Sequence, residues 1–317
     1  MSASSADTGG PTLSVVLPCY NERASLLEVR RQLVDVLEPL TDGAYEIIFV
    51  NDGSTDGSTE ILDEFAAGNS RIRVLHLSRN FGHQAALSAG LDASSGRGVV
   101  LMDCDLQDPP ELLPSFVARW REGFDVVYAV RQARTEHWWM RASYAAFYRT
   151  LRVIADIDIP LDVGDFCLLD RRVVDSIVAL PERHRFLRGL RAWVGFRQAA
   201  VPCERAARFA GQSKYTPRKL LSLALAGYVG FSAAPLRAAT ALGFGAAGGG
   251  ILLLLWVVLA KIADPLTPRG WASSSALVLF IGGVQLIVLG VIGEYLNRVY
   301  DEVRRRPLYI VSRRVGL

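Results

Sequence analysis

Two long apolar runs near the C-terminus place the strongest constraint on what this chain can fold into. Residues 238–260 and 270–293 contain no charged side chain over 23 and 24 positions, respectively. Each run exceeds the roughly 20 residues that an α-helix needs to cross a bilayer. A buried helix of a soluble protein is the alternative for either run, but the short KIADPLTPR connection between them favours a hairpin. We predict a transmembrane hairpin over 237–296, with spans at 238–260 and 271–293.

Basic residues predict the orientation of this hairpin. The connection between the runs contains only Lys261 and Arg269 as basic residues. The chain after the second run contains Arg298, Arg304, Arg305, Arg306, Arg313 and Arg314. Because basic residues collect on the cytoplasmic side, we expect a multi-pass inner-membrane protein with both termini and the N-terminal domain in the cytoplasm. The first residues, MSASSADTGGPT, lack the pattern of a signal peptide.

The N-terminal two-thirds of the chain alternates apolar strands with helical stretches. The strands are LSVVLPCY, YEIIFVNDGS, IRVLHLS and GVVLMDCD. Helices are predicted from about Glu22 to Leu40, over STEILDEFAAG and over GHQAALSAGLDAS. Strands that are apolar throughout and alternate with helices predict a parallel sheet that is covered on both faces.

The carboxyl end of each of these strands carries mostly polar residues. The residues of interest at these ends are Pro18, Tyr20, Asn21, Glu22, Asp52, Gly53, Ser54, Arg79, Asn80, Asp103 and Asp105. In an open α/β sheet, ligands bind beyond the carboxyl ends of the strands. Four polar strand ends at one edge are difficult to explain by turn formation alone, so we predict a binding cleft there.

The stretch VVLMDCDLQDPPE suggests what this cleft binds. Asp103 and Asp105 can hold Mg²⁺ or Mn²⁺, because a hard cation prefers oxygen ligands and offsets the repulsion of two carboxylates. Such an ion takes further ligands from substrate phosphates and stabilises a leaving diphosphate, which indicates a nucleotide-diphosphate donor. The D-x-D pattern alone is weak, since Asp156-Ile-Asp158 repeats it. Asp52 is suited to a hydrogen bond with the base or ribose; a helix N-cap is its alternative.

Three other features concern the membrane and possible partners. Residues 131–152 interleave arginines with aromatic residues, which predicts a helix in the membrane interface, with an ordinary packed helix as the alternative. Residues 216–236 predict an amphipathic juxtamembrane helix. Gly245 and Gly249 form a G-x-x-x-G pattern, from which we expect a homo-oligomer such as a tetramer.

Charge and cysteine content exclude other classes of protein. The formal net charge of +3 is too small to indicate a nucleic-acid partner. The cysteines, which are Cys19, Cys104, Cys167 and Cys203, form no C-x-x-C pair. Neither a zinc site nor a disulfide framework is therefore expected.

Seven motifs in order resemble a family 2 glycosyltransferase of the GT-A fold. They are VVLPCYNE, VNDGSTDGS, LSRNFGHQAALSAGLDAS, VVLMDCDLQDPPE, DVGDFCLLDRR, RFAGQSKY and GEYLNRVYDEVRRRPLYIV, and together they span about residues 13–312. More narrowly, they resemble the bacterial polyprenyl-phosphate glycosyltransferases, relatives of dolichyl-phosphate mannose synthase. The resemblance implies a disordered tail over 1–11, a GT-A catalytic domain over 12–215 and a basic tail over 297–317.

The resemblance also implies roles for individual residues. The donor-binding set is Pro18, Tyr20, Glu22, Asp52, Arg79, Asp103, Asp105, Gln107 and Lys214. The acceptor-phosphate set is Arg131, Arg141, Ser143, Arg205, Arg208 and Ser213. Asp103 and Asp105 are the metal ligands, and Asp105 and Asp165 are the catalytic residues. Asp165 is expected to act as a base or only to position groups, with a helix N-cap as its alternative.

The expected activity is inverting transfer of a sugar from a nucleotide-diphosphate sugar to undecaprenyl or another polyprenyl phosphate. UDP-glucose is the first candidate donor; GDP-mannose, N-acetylglucosamine and amino-sugars are alternatives. Many relatives have Asp-Asp-Gly-Ser where this chain has Asn51-Asp52-Gly53-Ser54, which leaves the choice between UDP and GDP open. A processive polysaccharide synthase and a non-enzymatic membrane sensor are more remote alternatives, and the RGLRAW stretch (188–193) is only distantly similar to the synthase signature.

Overall fold

The structure is a computed structural model that describes residues 10–131, 163–183, 185–203, 234–263 and 270–316. These residues belong to two compact units. One contains the described residues up to 203 together with 306–316, and the other contains 234–263 and 270–305.

The first unit is an eight-stranded sheet with helices. Its strands are β1 (Leu13–Cys19), β2 (Tyr45–Asn51), β3 (Ile72–Leu77), β4 (Gly98–Leu101), β5 (Val126–Arg131), β6 (Val163–Asp170), β7 (Gln198–Cys203) and β8 (Val311–Val315). Its helices are α1 (Leu26–Thr41), α2 (Ser58–Gly68), α3 (His83–Ala93), α4 (Leu113–Arg121), α5 (Arg171–Val178) and α6 (Leu187–Trp193).

The strand order is β7-β5-β6-β4-β1-β2-β3-β8. The four strands β4, β1, β2 and β3 are parallel, as are β5 and β7. Strand β6 runs antiparallel between β4 and β5, and β8 runs antiparallel to β3 at the sheet edge. The predicted α/β fold with a mostly parallel sheet is confirmed, and the two antiparallel strands add to it.

Both faces of the sheet are buried, which explains why its strands are apolar without alternation. In β1, Val15 and Leu17 pack into the hydrophobic cluster that contains Leu33 of α1. Val16, between them, packs into the cluster on the other face, with Leu87 of α3. Because successive side chains of a strand point to opposite faces, a strand between two helical layers must be apolar at every position.

The second unit contains two long helices, α7 (Ala234–Ala263) and α8 (Trp271–Arg304), which contact each other. The predicted spans fall inside these helices. Among the residues that the structure describes, one helical stretch, Phe280–Arg304, is long and apolar enough to cross a membrane. The presence of two helices is therefore confirmed, whereas the two-span hairpin is not and stays a prediction.

Several other predicted segments differ from the structure or lie outside it. Arg131, predicted to begin an interfacial helix, is the last residue of strand β5. The rest of 131–152 and most of 216–236 lie outside the described residues. The predicted basic tail from 297 begins inside α8 and ends in β8, which is part of the sheet.

One buried carboxylate joins the strands at the edge of the sheet opposite the predicted cleft. Glu46 accepts hydrogen bonds from the hydroxyl of Ser14 (2.5 Å) and from the amide (2.7 Å) and hydroxyl (2.8 Å) of Ser95. Arg73 forms an ion pair with its second oxygen at 2.6 Å. Since Glu46 is 2% exposed, the three hydrogen bonds to one oxygen and the charge of Arg73 beside the other offset the loss of water around its charge.

Replacing Glu46 with alanine should therefore destabilise the sheet strongly. Glu46→Ala leaves the Ser14 and Ser95 donors and the charge of Arg73 without their common partner, so we expect a loss of about 3 kcal/mol in the free energy of unfolding. Urea-induced unfolding of the full chain in detergent measures this loss. Glu64→Ala is the control, because Glu64 is exposed on α2; equal stability of the two variants would contradict this account of Glu46.

Candidate active site

The carboxyl ends of β1 to β4 lie at one edge of the sheet, and Asp52 organises the loops there. Asp52 is 3% exposed and accepts hydrogen bonds from the backbone amides of Phe81 (2.7 Å) and Gly82 (2.9 Å). It thereby joins the loop after β2 to the loop after β3. The N-cap alternative is wrong, because α2 starts at Ser58, six residues later, and the Ser58 amide donates to Asp56.

Gly53 allows these two loops to approach each other closely. Its φ angle is 72°, and a Cβ atom at this position would lie 2.8 Å from the carbonyl carbon of Arg79 and from the amide nitrogen of Asn80. Both distances are shorter than any ordinary contact, and both atoms belong to backbone that cannot move aside easily. The Asp52-Gly53 pair therefore fixes where the loop after β3 lies.

The loop after β1 is joined to the same turn. The amide of Asn21 donates to the Ser54 hydroxyl (3.0 Å), and the Asn21 side chain accepts from the amide of Thr55 (2.8 Å). The Glu22 amide donates to the Ser58 hydroxyl (3.2 Å). These bonds connect the neighbours of the predicted donor-binding residues to the turn around Asp52. Pro18 lies within β1, and Tyr20 is 40% exposed at the edge.

Strand β4 ends at Leu101, so Asp103 and Asp105 lie in the following loop rather than on the strand as predicted. The Asp103 side chain is 37% exposed. Asp105 is buried, and its Oδ1 accepts the amide of Gln107 at 3.1 Å. Leu106, which lies between Asp105 and Gln107, has a φ of 58°, in the left-handed region. This tight turn brings Gln107 beside the acidic pair.

Antiparallel pairing brings Asp165 to the same place from far along the chain. Leu101 of β4 pairs with Cys167 of β6. Asp165 precedes Cys167 by two residues on β6, and Asp103 follows Leu101 by two residues in the loop after β4. The two carboxylates come close to the same side chain, because His83 Nε2 lies near an oxygen of each. Asp165 is therefore a residue of β6, and its N-cap alternative is wrong: Asp170 caps the following helix and accepts the amide of Arg172 at 3.1 Å.

The Asp165 carboxylate is held by the side chains of Arg188 and His83. Arg188 of α6 donates from Nε to Oδ1 at 2.7 Å and from Nη2 to Oδ2 at 3.0 Å. His83, the first residue of α3, lies 3.3 Å from Asp165 Oδ2 and 3.7 Å from Asp103 Oδ1 through its Nε2 atom. The Asp165 side chain is 9% exposed, so the two-bond contact with Arg188 is largely shielded from water.

These contacts shift the pKa values of the acids in opposite directions. Burial opposes ionisation of Asp165, but the His83 hydrogen bond and the charge of Arg188 hold its pKa far below the usual range. Burial raises the pKa of Asp103, and the nearby charges of Asp165 and Asp105 add to that rise. Although burial disfavours its charged form, His83 has a raised pKa because it faces Asp165 and Asp103. The site thus contains the ionised carboxylate of Asp165 close to Asp103, whose charged form is disfavoured.

Sequence reasoning missed His83 and Arg188. His83 follows the carboxyl end of β3, so the strand-end argument that selected Arg79 applies to it as well. Arg188 belongs to the RGLRAW stretch and gave no local signal, because its place depends on α6 packing near α3. That packing is visible in the amide of Leu187, which donates to the Gln84 side chain at 2.9 Å.

For the remaining predicted site residues, the structure shows few contacts or does not describe the residue. Arg79 stacks on the ring of Phe81 at 4.1 Å from its centre. The backbone of Arg131 ends β5, whose neighbour β6 begins at the same edge of the sheet. Outside the described residues lie Arg141, Ser143, Arg205, Arg208, Ser213 and Lys214. In the part of the chain that the structure describes, no group of three or more His, Cys, Asp or Glu side chains forms a metal cluster.

Replacing Arg188 should destabilise the protein, because Arg188 balances the buried charge of Asp165. In Arg188→Ala, a buried carboxylate keeps only His83, so we expect the free energy of unfolding to fall by about 3 kcal/mol. Arg188→Lys should lose less, since it keeps the charge but not the paired hydrogen bonds. Urea-induced unfolding in detergent measures both variants against Arg121→Ala, which changes an exposed arginine of α4. Stability of Arg188→Ala equal to that control would refute the role given to the ion pair.

Comparison with known proteins agrees with this arrangement. The family described as "Glycosyl transferase family 2" matches residues 14–178. The chain is 47% identical to an "uncharacterized glycosyltransferase" of Synechocystis sp., with 96% of each protein covered. It is 39% identical to the "SfII prophage-derived bactoprenol glucosyl transferase" of Shigella flexneri, over 95% of this chain and 97% of that protein.

A solved structure is also similar, at a lower level. It is glucosyl-3-phosphoglycerate synthase from Mycobacterium tuberculosis in complex with Mn²⁺, UDP-glucose and phosphoglyceric acid. The identity is 24% and the TM-score 0.45, over 68% of this chain and 77% of that one. Such values are too low for residues or ligands to be transferred. The match to the family and the full-length relatives are sufficient: the chain belongs to glycosyl transferase family 2.

Proposed function

We propose that this protein transfers glucose from UDP-glucose to undecaprenyl phosphate or a similar polyprenyl phosphate. The product is a polyprenyl-monophosphate sugar for a cell-envelope glycan or lipid. The Shigella relative, a bactoprenol glucosyl transferase that matches nearly the whole chain, supports both the lipid acceptor and glucose. GDP-mannose, N-acetylglucosamine and amino-sugar donors remain the alternatives.

The observation that carries this proposal is the arrangement of the three acids at one edge of the sheet. Asp103 and Asp105 follow β4, and Asp165 of β6 shares the His83 side chain with Asp103 and is paired with Arg188. In this proposal Asp103 and Asp105 bind the donor diphosphate with its cation, and Asp165 belongs to the acceptor side of the site. A binding module without catalysis would have no need for a buried, fully paired acid beside this pair.

The reaction needs little proton transfer. An acceptor phosphate has a second pKa of about 6, so near neutral pH it is mostly a dianion and already a nucleophile. One of its oxygens attacks C1 of the sugar from the side opposite the diphosphate. The C1–O bond breaks, its electron pair leaves with the nucleoside diphosphate, and the configuration at C1 is inverted. Positioning and charge stabilisation therefore supply the catalysis.

Asp165 acts in this scheme as a positioning group rather than a base. A carboxylate whose pKa is held far below its usual range has little affinity for a proton. Its role is to hold Arg188 and His83 in place beside the reacting phosphates. Arg131, at the end of β5, is the proposed first contact of the acceptor phosphate, because a guanidinium can bind two phosphate oxygens at once.

The acidic pair fits a divalent cation, Mg²⁺ or Mn²⁺. Two carboxylates provide part of an oxygen shell, and a cation of this kind usually completes its shell with water and substrate phosphates. The raised pKa of Asp103, caused by burial and by neighbouring acids, means that a bound cation would favour its charged form. When bound, the cation would neutralise the departing diphosphate.

The acceptor lipid requires a membrane surface. Removing a polyprenyl chain from the bilayer costs about 0.8 kcal/mol per CH₂ group, so the enzyme must work at the headgroup plane. We propose that α7 and α8 form the two-span hairpin, with the sheet and both termini on the cytoplasmic side. The exposed apolar side chains of α8, which include Phe280 and Leu286, support this assignment. Assembly into oligomers through Gly245 and Gly249 is part of the same proposal.

A coupled assay tests the proposed activity. Purified protein with Mg²⁺ and UDP-glucose should release UDP only when undecaprenyl phosphate is added. Asp105→Asn should lower turnover at least about 100-fold, because removal of one charge-stabilising group typically costs 10² to 10³ in rate, while the protein stays folded. Asp42→Asn, at the exposed end of α1, is the control. UDP release that ignores the lipid, or near-normal turnover of Asp105→Asn, would contradict the proposal.

A further inference from the structure

A chain of polar side chains connects the last strand of the protein to the turn that holds Asp52. Arg313 of β8 donates to Asp63 Oδ2 at 2.5 Å. Asp63 Oδ1 lies 3.0 Å from Nε2 of His76 on β3. On its other side, His76 Nδ1 lies 3.1 Å from Nδ2 of Asn51, the last residue of β2. All of these residues belong to the first unit.

Every polar atom of the Asn51 amide is engaged. Its nitrogen donates to the Thr59 hydroxyl at 2.9 Å and points to His76, while its oxygen accepts the amide of Ser54 at 2.9 Å. Asn51 is 3% exposed, so these contacts are not shared with water. The bond to Ser54 closes the turn that contains Asp52 and Gly53. The side chain of Asn51 therefore shapes the turn, and its burial and these contacts leave it poorly placed to bind a nucleotide base.

This pattern determines the state of His76. Because the Asn51 nitrogen can only donate, Nδ1 of His76 must accept and Nε2 must carry the proton, which it donates to Asp63. Arg313 lies 3.3 Å from Nε2 but is itself a donor, so it serves Asp63 instead. Burial lowers the pKa of His76, and the charge of Arg313 acts in the same direction against the opposing effect of Asp63. The ring is neutral, in the Nε2–H form.

We propose that strand β8 positions the donor-binding turn through Arg313, Asp63 and His76, and that His76 is a positioning residue for nucleotide binding. This inference rests on the proposed function in one respect, namely that the nucleotide binds at the turn around Asp52. The connection is a series of hydrogen bonds. Asp63 accepts from Arg313 and from His76, and His76 accepts from Asn51. The oxygen of Asn51 in turn accepts the Ser54 amide.

The same series of hydrogen bonds explains why asparagine, rather than aspartate, suits position 51. An aspartate can accept the Ser54 amide but has no hydrogen to give to His76 Nδ1. The ring must then be protonated at Nδ1, and if it also keeps the Nε2 proton that it donates to Asp63, it becomes a cation between the carboxylates of residue 51 and Asp63. Asn51→Asp is therefore expected to raise the pKa of His76 and to alter the turn without removing any group that touches the nucleotide.

Two measurements on the full chain in detergent test this inference. Two-bond ¹H–¹⁵N correlation spectra of histidine-labelled protein report the tautomer and the titration of His76, with His76→Asn used to assign its signals. Binding of UDP with Mg²⁺ and the KM values for UDP-glucose and undecaprenyl phosphate report the donor and acceptor sites separately. The variants are Asn51→Asp, Arg313→Ala and Arg313→Lys, with Arg314→Ala as the matched control on the same strand.

Wild-type His76 should show the Nε2–H form, and Asn51→Asp should raise its pKa by at least about one unit. Arg313→Ala should weaken UDP binding and raise the KM for UDP-glucose about threefold, since Arg313 is half exposed and exposed ion pairs contribute little. The KM for lipid phosphate should stay unchanged, Arg313→Lys should recover part of the loss, and Arg314→Ala should resemble the wild type.

An Nδ1–H tautomer in the wild type, or an unchanged His76 titration in Asn51→Asp, would overturn the inference. So would equal UDP affinity in Arg313→Ala and Arg314→Ala, or a loss that affects both substrates alike. If the wild type binds UDP but transfers no sugar to lipid, the proposed function fails while the binding comparison still decides the positioning role. If it binds no nucleotide, both proposals fail.

Discussion

The antiparallel pairing of β6 with β4 is the constraint on which the site depends. Four parallel strands would place only their own carboxyl ends at the edge, with Asp52 and the acidic pair among them. Insertion of β6 in the opposite direction adds the start of a strand to that edge, and so brings Asp165 to the His83 side chain that Asp103 also approaches. Bringing like charges together in this way requires compensation, which Arg188 and His83 provide.

That compensation also limits the chemistry. A carboxylate in a two-bond contact with an arginine is a stable, ionised group and a poor proton acceptor. A site built around it is suited to a nucleophile that arrives already charged, as a phosphate does, and poorly suited to a sugar hydroxyl that must lose its proton. The proposed phosphate acceptor agrees with this state of Asp165.

The sequence predicted the features that depend on local pattern. Unbroken apolar strands predicted the parallel sheet, and the strand-end argument correctly brought Asp52, Asp103 and Asp105 to one edge. What it could not predict depends on pairing between distant segments. No short window of sequence indicates the direction of β6, the position of Arg188 on α6 or the addition of β8 beside β3.

For the same reason the sequence left a helix N-cap as the alternative role of both Asp52 and Asp165, and only their long-range partners excluded it. Asn51 appeared to be a change in base recognition until His76 and Thr59 were seen to occupy its amide.

Analysis of the lipid product tests the central claim most directly. The enzyme would be incubated with UDP-glucose labelled with ¹³C at C1 and with undecaprenyl phosphate, and the lipid would be examined by mass spectrometry and ¹³C NMR. The account predicts one hexose per lipid, attached through a single phosphate, with the β configuration at C1 that inversion of an α-linked donor produces. A diphosphate-linked sugar, a polymer of hexoses or a retained α configuration would contradict it.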